Sequence, residues 1–217
     1  MSKARSSVFS EWMDSLPESA ASGYLDLSLG EFLDLVGSEK PAPGGGTVAA
    51  VAVALAAGLS GMAARLSVDQ IADALLLADR ADAWRRRVAP LAGADAESYG
   101  RVLEALRLPR EPDPETRMDR IREALSGAAE VPLAVAEVGT EVAGMAARLA
   151  DEGNPNLEGD AITAVLLAEA GVRAAAALVE INLSSADVED DRIGRAQELV
   201  DEAAAAARRA TGGYRRR

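Results

Sequence analysis

Residues 47–64 carry no charge for eighteen positions, and no side chain in that run is larger than leucine or methionine. A segment of this length and polarity has to be hidden, in lipid or inside protein. It lacks the leucine, isoleucine and phenylalanine density of a membrane span, and it has no flanking aromatic or cationic anchors. The expectation is therefore a buried central helix, with Gly58 and Gly61 letting neighbouring backbones come near. Directly before it stands Pro41-Ala-Pro-Gly-Gly-Gly46. The prolines fix φ and hold their predecessors extended. Gly44, Gly45 and Gly46 are open to positive φ and to close approach of another group. A helix beginning near Thr47 would leave unpaired N–H groups facing this turn, a setting suited to an anion. No Lys-Ser/Thr pair follows the glycines, so a nucleotide-phosphate loop is excluded.

The rest of the chain reads as helices that can cover such an element. Residues 1–24 form a leader with Val8, Phe9, Trp12, Met13 and Leu16 at helical spacing, stopped by Pro17, and the expectation is that it docks on the body. Ser28-Leu-Gly-Glu31 is a capping box opening a helix over 29–36, with Phe32, Leu33 and Val36 inward. Residues 68–108 are helical with a break near Pro90 and Gly93. There Leu75, Leu76 and Leu77 are expected inward, and Arg85-Arg-Arg87 forms a solvated face or a contact to an acidic ligand. Asp95-Ala-Glu-Ser-Tyr99 opens the helix after the break, with Val102, Leu103 and Leu106 on its apolar stripe. Asp113-Pro-Glu115 starts a helix running to about residue 149, kinked at Pro132. Gly153-Asn-Pro-Asn156 is a turn, 160–183 a nearly apolar helix with a Glu169/Arg173 pair, and 187–209 a last helix ended by Gly212. No alternating strand pattern appears. The fold class is all-α: a single-domain bundle of about six helices over 25–210 with long, alanine-rich buried members, followed by a basic tail at 211–217.

Composition narrows the chemistry. With no histidine and no cysteine among 217 residues, Ser-His and Cys-His catalysis, thiolates and disulfides are excluded, and no metal site is expected. Lys3 and Lys40 are the only lysines, which disfavours a Schiff base. Proton transfer falls to carboxylates, tyrosine or water. A net charge of −12 opposes binding to nucleic acid or an anionic membrane surface. No signal-peptide core opens the sequence, so a cytoplasmic location is expected. The polar candidates inside segments that should be buried are the glycine turn, Asp95 with Glu97, Asp160 and Asn182. Each also has a plain structural reading, as a helix cap for the two aspartates and as a helix-ending side chain for Asn182.

Taken together and in order, these marks resemble the cyclodeaminase/cyclohydrolase family of folate enzymes. The resemblance is carried by Phe32-Leu33, Pro41-Ala-Pro-Gly-Gly-Gly-Thr-Val-Ala-Ala50, Asp95-Ala-Glu-Ser-Tyr99, Leu108-Pro109, Glu130-Val-Pro-Leu133, Gly153-Asn-Pro-Asn156, Asp160-Ala161 and Ile181-Asn-Leu183, over about 28–185. It implies an all-helical homodimer that binds tetrahydrofolate as substrate carrier, with Asp95 as the catalytic acid. It further implies that Pro43, Gly44, Gly45, Gly46, Thr47, Asp160 and Asn182 are folate-binding. The implied activity is formiminotetrahydrofolate cyclodeaminase, with methenyltetrahydrofolate cyclohydrolase as the alternative on the same site. Gly93, Gly159 and Leu178 depart from the family pattern by replacing polar partners, and they motivate a further alternative, a non-catalytic folate-binding or scaffold dimer.

Overall fold

The computed structural model describes residues 23–110, 113–186 and 190–214. Its helices are α1 (Leu29–Val36), α2 (Gly45–Arg65), α3 (Ala74–Val88), α4 (Leu91–Arg107), α5 (Pro114–Gly127), α6 (Glu130–Glu152), α7 (Glu158–Ala186) and α8 (Asp191–Tyr214), with a 3-10 turn over Pro155–Leu157 between α6 and α7. Among the described residues there is no strand, and the expected all-α bundle is what the chain forms. The leader lies outside the described residues up to position 22. Tyr24 already belongs to the body, its ring meeting Phe32 edge-on at 6.3 Å.

The uncharged run is the central helix. α2 packs against α3, α4, α6 and α7, and α6, α7 and α8 pack against one another. The core they enclose is mostly alanine and valine, including Ala50, Val53, Ala57, Val138, Val142, Ala168 and Val172. Side chains this small support a bundle only if the helix axes come close, and two glycines permit that. A Cβ at Gly171 would lie 2.6 Å from Val53 Cγ2, and one at Gly139 would lie 2.6 Å from Val172 Cγ2. These two positions, rather than Gly58, set the approach of α2, α6 and α7. Gly61 plays the expected role against α3, where an added Cβ would stand 3.4 Å from Ala81 Cβ. Both α2 and the segment 155–186 are long and apolar enough to cross a membrane by length and composition; here each packs into the bundle.

Several boundaries and faces differ from expectation. The helix expected over 113–149 is two helices. α5 stops at Gly127, and Ala128 and Ala129 form a corner, so Pro132 falls in the first turn of α6, where its missing N–H costs nothing. α8 continues through Gly212 to Tyr214, taking residues 211–214 out of the expected tail. Of the three consecutive leucines in α3, Leu77 is buried while Leu75 and Leu76 are 64% and 59% exposed, because Ala74, Leu77, Ala78 and Ala81 form the inward face. In α1 only Phe32 is buried, with Leu33 and Val36 on the outside, and Leu106 of α4 is likewise exposed. The expected Glu169–Arg173 pair is present at 3.7 Å on α7.

α2 and α7 run antiparallel, so the start of α2 lies near the end of α7. At the opposite end the Asn-Pro-Asn turn is stitched to the chain after α2. Asn154 donates its backbone N–H to Ser67 Oγ at 2.9 Å and its Nδ2 hydrogen to Leu66 O at 2.9 Å. The polar site is at the unstitched end.

Candidate active site

A cavity of about 320 Å³ opens where four segments meet. The glycine turn gives Pro41, Ala42, Gly44, Gly45 and Gly46; α4 gives Asp95, Ser98 and Tyr99; the α5–α6 corner gives Ala128 and Pro132; α7 gives Leu178, Ile181 and Asn182. Its size is at the lower end of the range for small-molecule sites, and its walls are largely apolar with a few convergent polar groups.

The turn is built differently from expectation. No glycine has positive φ, the Ala42–Pro43 peptide is cis, and Gly44 caps the helix in an extended conformation, so α2 begins at Gly45 rather than near Thr47. Close approach is what requires glycine here: a Cβ on Gly46 would sit on the Asp95 carboxylate. The carboxylate, not a phosphate-like ligand, takes the free N–H at the helix start. Thr47 N–H donates to Asp95 Oδ2 at 2.9 Å, while the Thr47 hydroxyl donates to Ala92 O at 2.9 Å and lies 3.4 Å from the same carboxylate oxygen. α4 resumes at Leu91 immediately after Pro90, so Asp95 is in the second turn of a continuous helix and is not its cap. Its geometry is therefore set by two rigid elements at once.

Burial raises the Asp95 pKa above the ordinary aspartate value, and the two Thr47 contacts oppose this only in part. Burial also raises Tyr99, and it raises Tyr24, where the nearby Asp95 charge adds to the effect. Asn182 donates Nδ2–H to Ala128 O at 3.0 Å, which pins α7 to the α5–α6 corner and leaves Oδ1 as its remaining acceptor. Among the described residues two buried hydroxyls have no hydrogen-bond partner, Tyr24 Oη and Ser98 Oγ, and Ser98 lines the cavity. Such a group costs free energy unless something polar meets it.

Of the residues singled out from sequence, Asp95, Gly44, Gly45, Gly46 and Asn182 converge on this cavity. Pro43 and Thr47 are buried beside it without lining it, and Thr47 holds Asp95 from behind. Asp160 is not brought there. It sits in the first turn of α7, about 33 Å from Asn182 at 1.5 Å per residue. Ser98, Tyr99 and Pro132 were not singled out as site residues. The available signal was spacing, since Ser98 and Tyr99 stand three and four places after Asp95 on one helical face. Among the described residues no three Asp or Glu side chains gather in a way that would hold a metal ion.

The chain resembles known proteins along most of its length. Residues 28–205 match the formiminotransferase-cyclodeaminase family. The chain is 36% identical over 185 residues to a methenyltetrahydrofolate cyclohydrolase of Methylorubrum extorquens, covering 80% of this chain and 89% of that protein. It is also 36% identical over 192 residues to the mouse formimidoyltransferase-cyclodeaminase, covering 82% of this chain but only 34% of that longer protein. The crystal structure of a formiminotetrahydrofolate cyclodeaminase from Thermotoga maritima superposes with a TM-score of 0.73 at 26% identity, covering 87% of this chain and 97% of that one.

Proposed function

The chain belongs to the formiminotransferase-cyclodeaminase family, and from that premise we propose that its cleft performs one-carbon chemistry on tetrahydrofolate, as a formiminotetrahydrofolate cyclodeaminase. The observation that carries this reading is the half-buried Asp95 carboxyl, held against Gly46 and the Thr47 N–H on the wall of the cavity, with its pKa raised by desolvation. Cyclodeamination needs such a group. N10 attacks the formimino carbon, the N10–C bond forms, and the C=N π pair moves to nitrogen. The N10 proton and one further proton reach that nitrogen, the C–N bond breaks, and ammonia leaves the methenyl cation behind. A carboxyl that burial makes hold its proton to higher pH than an ordinary aspartate can donate it, and the carboxylate left behind faces the positive charge. The cavity walls hold N10 and the formimino carbon in contact. Asn182 Oδ1 and the glycine-turn backbone supply polar partners for the pterin ring edge.

A second reading is favoured by the match to the methenyltetrahydrofolate cyclohydrolase over 89% of its length. There the same carboxylate takes a proton from water as the water oxygen attacks the methenyl carbon, and the C–N5 bond then opens to the formyl product as the adduct's hydroxyl proton passes to N5. The two reactions share the acid, the carbon and the cavity. The transferase activity in the longer mouse protein's name has no counterpart in this proposal, because this chain spans only a third of that protein.

The reading includes a homodimer. α2 and its C-cap carry Val48, Ala52, Leu55, Leu59, Met62 and Leu66 along one helical stripe; Val48, Leu55 and Leu66 are exposed. On the adjacent α7, Leu166 and Ile181 are exposed as well. A patch of this kind supports burial against a second copy.

The test is direct. Purified protein given 5-formiminotetrahydrofolate forms the methenyl chromophore and releases ammonia, and Asp95→Asn lowers kcat by about 100-fold or more. Absence of turnover on both this substrate and methenyltetrahydrofolate overturns the enzymatic reading.

A further inference from the structure

Among the described residues four serine and threonine side chains are buried: Thr47, Ser60, Ser67 and Ser98. Three of them have surrendered their hydrogen to a backbone carbonyl. Thr47 donates to Ala92 O at 2.9 Å, Ser60 to Ala56 O at 2.9 Å and Ser67 to Ala63 O at 2.7 Å. The half-buried Thr140 and Thr211 also donate to the carbonyl four residues back. Ser98 does not, although it lies inside α4 with the same kind of carbonyl one turn behind it. It is 2% exposed, its Oγ has no partner, and it lines the cavity. A helix-interior hydroxyl that forgoes this local bond and stays buried is unsatisfied until a ligand supplies the partner.

Ser98 stands three residues after Asp95, which puts their Cβ atoms about 5–6 Å apart on one face. Side chains so placed can close on one small nitrogen or oxygen species, at about 2.8–3.0 Å from each oxygen. We propose that Ser98 is the second holder of the small species exchanged at the one-carbon unit, gripping leaving ammonia or attacking water against Asp95. The inference rests on the folate reading above and assigns the division of labour within that cavity. In deamination the Ser98 O–H donates to the formimino nitrogen as its π pair arrives there, then turns to accept an N–H of the departing amine as Asp95 delivers the proton that lets the C–N bond break with its electron pair. In hydrolysis it donates to the water oxygen while Asp95 removes a water proton as the O–C bond forms. Asn182 and the glycine turn are left to the folate itself.

The experiment is a kinetic and thermal comparison of the wild type with Ser98→Ala, on 5-formiminotetrahydrofolate and on methenyltetrahydrofolate. Loss of the hydroxyl is expected to lower kcat by about 10- to 100-fold, the size of one hydrogen bond to a charged centre. KM is expected to stay within about twofold, because the folate body is held elsewhere. Tm is expected unchanged or higher, because the removed hydroxyl has no protein partner to lose. Ser98→Cys keeps the size, weakens the hydrogen bond, and reads the same loss of kcat should the alanine variant not be recoverable. A kcat within twofold of an active wild type overturns the proposal and leaves the folate reading intact. A rise in KM at constant kcat also overturns it, by placing the hydroxyl on the folate body. A wild type inert on both substrates removes the folate reading and this proposal together.

Discussion

At the scale of single residues, Asp95 carries a sign that can be measured in two ways. Its folded pKa is raised above the ordinary value of 3.8, so the fold favours the protonated form and ionisation costs stability. The unfolded chain then binds fewer protons than the folded one between 3.8 and the raised value, and stability falls as pH climbs through that window. Asp95→Asn removes the penalty. Its Tm is expected to exceed that of the wild type at neutral pH, with the gap closing as pH falls below 3.8; thermal melts across pH check this. Activity has a matching test. Deamination consumes a proton, so its kcat is expected to fall as pH rises through the Asp95 pKa. Hydrolysis uses the carboxylate as base, so its kcat falls in the opposite direction. A pH profile on each substrate therefore reports which protonation state each reaction uses. Asp95 was legible in the sequence as a polar group in a helical run. Ser98 was not, because a serine between Glu97 and Tyr99 reads as one more polar helix position until its missing hydrogen bond is seen.

At the scale of elements, close helix contact replaces large side chains. Gly171→Ala pushes a methyl towards Val53 Cγ2, and the expected loss is about 1–3 kcal/mol by denaturant melt. Gly144, on the outside of α6, has nothing within 4 Å of an added Cβ; Gly144→Ala is expected to stabilise by about 0.5–1 kcal/mol in the same assay. The sequence showed the elements with chemical punctuation. Ser28 and Glu31 close a reciprocal cap, Asp113 caps α5 through Thr116 N–H, and the Asn-Pro-Asn turn is where it was expected. Where punctuation is missing, the reading failed. The Ala128–Ala129 corner has no side-chain cap, and Gly127 beside it is absorbed into a helix kinked at Pro132, so two helices read as one. Leu75, Leu76 and Leu77 offer no polar contrast, so which of them turns inward follows from the partner helix alone. Asp160 shares a helix with Asn182, and only the length of that helix in space separates them.

At the scale of the whole molecule, the exposed stripe on α2 is the feature a lone chain leaves unexplained. Leu55 is 58% exposed midway along it. Leu55→Glu places a charge in the centre of the patch, and sedimentation at micromolar concentration is expected to shift from dimer to monomer while helicity is kept. Near the cavity, the start of α2 is tied to α4 through Thr47 and Asp95, and the end of α7 is tied to the α5–α6 corner through Asn182. These ties lie on opposite sides of the gap, whereas Asn154 fastens the two long helices together at the far end. The arrangement is that of tongs with a rivet at one end and free tips at the other. Hydrogen exchange is expected to be slowest around the rivet and faster at the tips, with added folate slowing the tips alone. A bulky planar guest then enters by a slight spreading of two stiff arms, and no part of either arm has to melt to admit it.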